Sequence, residues 1–395
     1  MPLVLKPTRE ASHPVVGSPS RTCSWKENMV SESVKRPLSR RAFLSVAGSA
    51  AAVFGLGLVG CGSTSSTGGA ATSGSTDAAA SVDKITMVWL PNESSAEFDA
   101  GREAFGKVLE EAAGVPVELM TTTDYNVAIE AIASGKAQLA NMGAQGFIEA
   151  QKKNSAVQPL VTTSDPDGTL EGAKYFSRIC VAEDQMDAYR DSSESTGFSI
   201  ANIKGKKMSF VSPTSTSGFK VPSNAIMKAF PDDVKSSDEL TQAGFFSQVL
   251  FGNSHPGSAV NLLQGDADVA AFDDIDVDIY LDVPDGDRDA VNSAGAVYKV
   301  KDGAPQPFDR VQGKSFGIIQ STPVLNGPIA VNTEALPDEM VKKLLKGLTS
   351  DETSSNELLF APEGTDDNGA IWSKEDSAGF IAVEDSWYDP IRQLS

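Results

Sequence analysis

Histidine and cysteine are scarce in this sequence of 395 residues, which contains two histidines and three cysteines. Beyond residue 61 only His255 and Cys180 remain. Zinc and copper sites in proteins use several imidazole or thiolate ligands, so neither metal is expected here. Cys180 lies in the apolar run Ile179-Cys180-Val181, which is typical of a buried residue rather than a reactive thiol. A single cysteine in this part of the chain also excludes a disulfide within it.

Basic residues are in the minority as well. Lys and Arg together number 33 against 53 for Asp and Glu, which gives a formal net charge of −20. So acidic a chain repels nucleic acid and anionic lipid, and neither is an expected partner. A small anion is not excluded, because local donors decide binding at a buried site.

The apolar run from Val46 to Val59 is too short and too rich in Ala and Gly for a membrane-spanning helix. It follows the arginine pair Arg40-Arg41 and leads into Leu-Val-Gly-Cys, which ends at Cys61. This order of basic, apolar and small residues is typical of a cleaved signal. It predicts twin-arginine export and a lipid anchor on Cys61, with the protein held at the membrane and facing the periplasm or the cell surface.

Both flanks of the run support this interpretation. Met29 begins a compact n-region, so we interpret Met29 as the start of translation and residues 1–28 as an over-extended start within the signal region 1–61. Residues 62–81 are rich in Ser, Ala, Gly and Thr and cannot bury apolar surface. They are therefore predicted to form a flexible tether.

Strand and helix patterns alternate from residue 84 onwards, which predicts an α/β fold with parallel sheets and flanking helices. Two such stretches indicate two Rossmann-like lobes that close on each other by a hinge. We place the first lobe at 82–178 with 322–395, and the second lobe at 179–321. In open α/β sheets a ligand binds beyond the carboxyl ends of the strands.

A hydroxyl-rich turn, Ser215-Thr216-Ser217-Gly218, separates a strand pattern from a helix pattern. Hydroxyl groups and free backbone N–H groups at a helix N-terminus together form a site for an oxyanion. The alternative is an ordinary N-cap, which many helices carry.

These motifs resemble the phosphate-, phosphite- and phosphonate-binding proteins of ABC importers, over most of residues 84–333. The shared segments occur in the family's order: Asp124-Tyr125, Ser215 to Gly218, Gly252-Asn253-Ser254-His255, and Gly265 to Ala271 followed by Asp273-Asp274. The resemblance implies a periplasmic binding protein fold, a partner permease in the membrane, a monomer, no cofactor and no catalysis.

The resemblance also implies a role for each motif. Ser215, Thr216 and Ser217 would bind the phosphorus-bound oxygens, and His255 would donate to one of them. Tyr125 would add a phenol donor or cover an apolar part of the ligand, although a core aromatic is an equal alternative. For His255 the alternative is an ordinary loop histidine.

Asp273, preferred here over Asp274, would accept a hydrogen bond from a P–OH group. A fully ionised sulfate has no proton to donate, so a carboxylate at this place discriminates against it. The remaining acidic residues of this stretch are expected to be a solvated loop.

Two positions depart from the family. Phe147 in Gly143-Ala-Gln-Gly-Phe147 replaces a hydroxyl-bearing aromatic residue, and Asn326 in Leu325-Asn326-Gly327-Pro328 stands where the family has an acid. Residues 92–94, Asn-Glu-Ser, follow the first strand and are candidates to compensate.

Three other functions were weighed. A hydrolase would use Ser215, His255 and Asp273 as a triad, but Ser215 does not stand in a Gly-x-Ser-x-Gly turn. A calcium loop would begin at Asp274, but its sixth position is Ile279 where glycine is required. A binding protein of the same fold for a sulfonate or an organophosphate remains the main competitor.

Overall fold

The computed structural model describes residues 82–92, 96–284, 286–362 and 369–394. Several predictions lie outside these residues: the export signal at Arg40 and Arg41, the lipidation site Cys61, the tether 62–81, and the candidates Glu93 and Ser94. Within the described ranges, no helix combines the length and the apolar character needed to cross a membrane.

The first stretch alternates strands and helices as the sequence pattern predicts. Local signals fix the helix ends: the Asp124 carboxylate accepts from the Asn126 N–H at 2.7 Å, and Gly114 ends the first helix with a φ of 77°. The elements are β1 (Ile85–Val88), α1 (Asp99–Ala113), β2 (Val117–Met120), α2 (Tyr125–Ala133), β3 (Leu139–Asn141), α3 (Ala144–Lys153) and β4 (Val157–Thr163).

The middle stretch builds a second sheet. Its elements are β5 (Lys174–Ala182), β6 (Lys207–Phe210), α4 (Val221–Ala229), β7 (Gln248–Phe251), α5 (His255–Gln264), β8 (Val269–Asp273), β9 (Leu281–Asp282), α6 (Arg288–Val291), β10 (Val297–Val300) and β11 (Ser315–Leu325). The chain then returns to the first sheet. The last elements are β12 (Pro328–Asn332), α7 (Asp338–Leu348), α8 (Asp351–Ser354), β13 (Phe360–Pro362), β14 (Trp372–Lys374), β15 (Phe380–Ala382) and α9 (Asp389–Arg392).

Each main sheet has a parallel centre and antiparallel additions. The first has the strand order β15-β4-β12-β3-β1-β2 and the second β7-β6-β8-β5-β11-β10-β9. β1, β2 and β3 are parallel, as are β6, β7 and β8. β5 and β12 run antiparallel to their neighbours. The predicted parallel arrangement therefore holds only for β1 to β3 and for β6 to β8, which belong to consecutive βα units. β5 and β12 are the first strands after the chain passes from one sheet to the other, and they enter their sheets in the opposite direction.

Two crossings connect the sheets, at residues 164–173 and 326–327. The boundaries predicted at Arg178 and Ser321 fall inside β5 and β11, where these two residues pair with each other. Both strands belong to the second sheet over their whole length. β5 is buried at nearly every position, so its hydrophobic pattern does not change at the predicted boundary.

Apolar clusters cover both faces of each sheet. The C-terminal aromatics pack against elements of the first sheet and its helices: Trp372 lies against Trp89 and Phe105, and Tyr388 lies 5.3 Å from Phe147 between ring centroids. Cys180 is buried and free, and burial raises the pKa of its thiol.

Arg178 is fully buried in the second sheet, and four of its five guanidinium N–H groups donate hydrogen bonds. It donates to both carboxylate oxygens of Asp278 at 2.5 and 2.8 Å, to Asn292 at 2.7 Å, and to the Tyr298 hydroxyl at 3.0 Å. Its charge also lies 4.4 Å from the centre of the Tyr298 ring. The geometry offsets the cost of removing this charge from water, provided that the Asp278 carboxylate stays in place.

We therefore expect Asp278→Ala to lower the free energy of unfolding by about 3 kcal/mol or more, because it leaves a buried cation unpaired. Urea denaturation of the wild type and the variant measures the difference. The matched control is Asp282→Ala, which removes an exposed carboxylate nearby and should change stability by no more than about 0.5 kcal/mol. Equal effects of the two substitutions would contradict this account of Arg178.

Candidate functional site

The turn after β6 is a π-helix, Thr216–Lys220, and Ser215 is its N-cap. The Ser215 Oγ accepts from the Gly218 N–H at 3.1 Å, and the Lys220 N–H donates to the Ser215 carbonyl at 3.0 Å. A Cβ on Gly218 would lie 2.4 Å from the Cβ of Val211, so only glycine fits here. Single π-turns of this kind are frequent at functional sites. The N-cap alternative is therefore correct for Ser215, and the cap lies inside the candidate site.

His255 begins α5, and its ring is held in one tautomer. Its Nδ1 accepts from the backbone N–H of Asp273 at 2.9 Å, so the proton of the neutral ring is on Nε2. Nε2 lies 3.4 Å from the Ser215 Oγ and 3.2 Å from the Asp273 Oδ2. The side chain is buried, and this burial lowers its pKa to about 3. His255 is thus a neutral donor facing the hydroxyl turn.

Asp273 ends β8 beside the same turn. Its Oδ2 accepts from the Ser217 hydroxyl at 3.1 Å, and its Oδ1 accepts from the Asp276 N–H at 3.2 Å. Burial, followed by the nearby carboxylates of Asp276 and Asp274, raises the pKa of Asp273 well above its usual value. This carboxylate therefore holds or shares a proton readily.

Asp274 has a different role. Its Oδ1 accepts from the backbone N–H groups of Phe176 and Ile275 at 2.8 and 3.0 Å, and its Oδ2 accepts from Asn292 at 3.0 Å. These bonds fix the loop after β8. Of the two neighbouring acids, Asp273 is the one in contact with the hydroxyl turn.

The first sheet contributes polar groups from β1, α2 and α3. Asn92 follows β1, and its Oδ1 accepts from the Tyr125 hydroxyl at 3.0 Å and from the His255 N–H at 3.4 Å. The Thr216 Oγ1 accepts from the N–H of Gln145, in the first turn of α3, at 2.8 Å. The candidate site is therefore formed between elements of the two sheets.

The predicted residues take distinct places in this arrangement. Ser215, Ser217, His255 and Asp273 are mutually bonded, whereas Thr216 bonds to α3. Tyr125 donates to Asn92 and packs in the first core, as its core alternative requires, and a role toward a ligand stays a prediction.

Sequence reasoning missed Tyr175 and the Gln145 N–H. Tyr175 is buried beside Asp273 and Ser217, and burial and then the Asp273 charge raise the pKa of its phenol. Its position in the apolar sequence of β5 was the available signal. A backbone N–H such as that of Gln145 leaves no such signal in the sequence.

The two family departures lie outside this cluster. Phe147 packs against Tyr388 in the first core, and Asn326 donates to the Thr163 carbonyl at 3.0 Å beside a crossing between the sheets.

The tautomer of His255 is incompatible with a Ser-His-Asp triad and with a cation site that uses its Nε2. A Ser-His-Asp triad needs a basic Nε2 toward serine and Nδ1–H toward aspartate, but here Nε2 carries the proton and faces both groups. His255, Asp273 and Asp276 place one ligand atom each within 4.8 Å of one another. The Nε2 that faces Asp273 is protonated, however, and has no lone pair for a cation.

Acid should destabilise the fold through His255. The histidine stays neutral in the folded chain down to about pH 3, whereas its unfolded value is 6.5. The contribution of His255 to the free energy of unfolding is therefore complete above pH 6.5 and is lost as pH falls toward 3. The raised pKa of Asp273 acts oppositely, giving stability at acid pH that is lost as pH rises above 3.8.

We expect His255→Gln to remove the part of the free energy of unfolding that depends on the protonation of His255. This part changes by up to about 1.4 kcal/mol per pH unit between pH 6.5 and about pH 3. Urea denaturation from about pH 7 to about pH 4 gives the difference between wild type and variant, in which other titrating groups largely cancel. The advantage of the wild type should shrink as pH falls. A difference independent of pH would contradict a neutral, buried His255.

Several known proteins are similar to this chain in sequence or in structure. The chain is 25% identical over 321 residues to the phosphate-import protein PhnD of Mycolicibacterium smegmatis, covering 81% of this chain and 87% of that protein. Its fold is similar to that of a binding protein component of an ABC phosphonate transporter from Pseudomonas aeruginosa, with a TM-score of 0.54, 22% identity, and coverage of 79% and 85%. It is also similar to PhnD1 of Prochlorococcus marinus in complex with methylphosphonate, with a TM-score of 0.55, 14% identity, and coverage of 79% and 97%.

These structures establish the two-lobed periplasmic binding protein fold that the sequence predicts. Residues 87–388, well over half of the chain, match the model of a protein family described as "ABC transporter, phosphonate, periplasmic substrate-binding protein". A protein of this kind acts outside the cytoplasm and delivers its substrate to a permease. The chain belongs to this family of substrate-binding components of ABC transporters.

Proposed function

We propose that this protein captures a phosphorus oxyanion with at least one P–OH group, namely phosphate, phosphite or a phosphonate, between its two lobes. One observation carries the proposal: the hydroxyls of Ser215 and Ser217, the Nε2–H of His255 and the Asp273 carboxylate converge at one place. Three donors suit the anionic oxygens, and one acceptor suits the P–OH.

Two helical N-termini add to the attraction for an anion. The π-helix begins at Thr216 and α5 begins at His255, and the N-terminal end of each carries partial positive charge. Both starts lie beyond strands of the second sheet, where ligands bind in open α/β folds. The relatives are consistent with this class of ligand, since one is named for phosphate import and one holds methylphosphonate.

Asp273 is the residue that determines selectivity among anions in this proposal. Its raised pKa means that carboxylate and ligand share a proton at little cost. A monoprotonated phosphonate, phosphite or phosphate brings that proton. Sulfate and sulfonates are fully ionised near neutral pH, and would have to bind beside an unpaired carboxylate or take up a proton from water.

The proposal includes a hinge and a membrane anchor. We place the hinge at the crossings 164–173 and 326–327, so the lobes are 82–163 with 328–394, and 174–325. Asp165 stabilises the longer crossing, because its carboxylate accepts from the Thr169 hydroxyl and N–H at 2.7 and 2.6 Å and from the Gly172 N–H at 2.9 Å. The monomer would be exported by the Arg40-Arg41 signal, held by lipid on Cys61, and would pass its ligand to the permease unchanged.

The first test is binding of phosphate, phosphite, methylphosphonate and sulfate. A ligand at 100-fold excess over its Kd raises the free energy of unfolding by about 2.7 kcal/mol. We expect such a shift with at least one phosphorus anion and none with sulfate. Ser215→Ala should weaken binding about tenfold or more, because it removes a hydrogen bond to a charged ligand.

Ser350→Ala is the matched control for this variant. Ser350 is also an N-cap, accepting from the Thr353 N–H at 3.2 Å at the start of α8. Both substitutions cost about 1 kcal/mol of capping energy, but only Ser215→Ala should change Kd. Equal losses of binding in the two variants, or no binding of any phosphorus anion by the wild type, would refute the proposed site.

The second test concerns selectivity. Asp273→Asn replaces the acceptor by an amide that can donate to a fully ionised oxygen. We expect the ratio of the sulfate Kd to the phosphate Kd, measured by calorimetry, to fall about tenfold or more. Asp274→Asn is the control, because Asp274 holds the loop and should affect stability without altering this ratio. An unchanged ratio in Asp273→Asn would reject its role in selection.

A further inference from the structure

The start of α3 lies directly against the hydroxyl turn of the other lobe. Gly143 is the N-cap residue of α3 and offers no side chain to cap the helix. The first N–H groups of a helix lack partners within the helix. One of these groups, the Gln145 N–H, donates to the Thr216 Oγ1 at 2.8 Å. A hydroxyl of the second lobe therefore completes a helix of the first lobe.

Thr216 differs in this respect from the serines on either side of it. The Ser215 Oγ faces His255 and the Ser217 Oγ faces Asp273, both within the second lobe. Thr216 is 2% exposed, and its hydroxyl faces α3 instead. Its neighbours thus line the ligand site, whereas Thr216 lies at the contact between the lobes.

Gly143 allows this close approach. A Cβ built on Gly143 would lie 2.8 Å from the Thr216 Oγ1 and 3.8 Å from the Thr216 Cβ, and no other heavy atom outside its chain neighbours comes within 4 Å. Its φ of −68° suits any residue. A side chain at 143 is therefore acceptable to the first lobe itself, and its cost arises only from Thr216.

The start of α3 is also tied to a proposed hinge crossing. The Met142 N–H donates to the Pro328 carbonyl at 3.1 Å. A Cβ on Gly327 would lie 2.1 Å from the Met142 carbonyl oxygen, so glycine is needed for the two segments to touch. The contact at Thr216 is thus fixed in position relative to the crossing at 326–327.

We propose that Gly143, the Gln145 N–H and Thr216 form a closure contact that sets how near the two lobes approach over the ligand. Thr216 then has a positioning role through its Oγ1, which accepts from α3. The inference rests on the proposed function for the meaning of closure, but the contact itself can be tested without any ligand.

The test is a pair of substitutions studied singly and together. Gly143→Ala should weaken binding of phosphate or methylphosphonate about tenfold or more, because its methyl group meets the Thr216 Oγ1. In the Thr216→Ala background the oxygen is gone and the 3.8 Å contact is ordinary, so the same change should cost less than about threefold. Thr216→Val keeps a branched side chain at that place, and should not rescue Gly143→Ala.

Gly146→Ala is the matched control on the same helix. Its added methyl would meet only the Met142 Cε at 3.7 Å and the Thr214 carbonyl oxygen at 3.9 Å, which are normal contacts. This variant should bind as the wild type does. In all closure variants the ratio of sulfate Kd to phosphate Kd should stay unchanged, since Asp273 is untouched.

Hydrogen–deuterium exchange of the full chain without ligand gives the independent readout. The Gln145 amide should be protected in the wild type and in Gly146→Ala, and should exchange about tenfold faster in Gly143→Ala and in Thr216→Ala. If the wild type binds none of the anions, the proposed function fails while this measurement still decides the contact. Unchanged exchange in Gly143→Ala, or a binding loss that Thr216→Ala does not rescue, would overturn the inference.

Discussion

The hydrogen bond from the Asp273 backbone N–H to the His255 Nδ1, at 2.9 Å, determines the chemistry of the site. It places the imidazole proton on Nε2, which faces the Ser215 hydroxyl and the Asp273 carboxylate. A ring with the other tautomer would be a base toward Ser215 and a lone-pair donor toward a cation. With this tautomer it is a neutral hydrogen-bond donor. One backbone amide thus distinguishes the capture site that we propose from a hydrolytic triad of the same residues.

The binding that we propose, of an anion by an acidic chain beside buried carboxylates, requires a physical explanation. The net charge of −20 describes the whole sequence, while the site is governed by two helical N-termini, two serine hydroxyls and one imidazole N–H. Asp273 is tolerated because burial and its acidic neighbours favour its protonated form. In the proposed site a ligand that brings its own proton pairs with the Asp273 carboxylate, whereas a fully ionised anion requires Asp273 to take up a proton first. We therefore expect the carboxylate to act on selectivity more than on affinity.

Periodicity and capping signals were sufficient for the local structure. α1 spans Asp99–Ala113 and ends before Gly114, and the turn at Ser215 is a helix start as its residues indicate. The lobe boundaries were harder to predict, because β5 is buried along its length and its pattern is uniform across Arg178. The direction of the Thr216 hydroxyl, toward α3 rather than toward its neighbours' partners, depends on a residue 71 positions away.

The sequence by itself determined the kinds of groups available: three hydroxyls before a helix, one histidine at the start of another helix, and an aspartate at the end of a strand. These are local properties, since each follows from a residue and its immediate neighbours. The tertiary structure decided the histidine tautomer, the pairing of Ser217 with Asp273 from 56 residues away, and the meeting of α3 with Thr216. Such contacts depend on how two sheets pack, and hydrophobic periodicity does not encode which polar atoms face each other across a cleft.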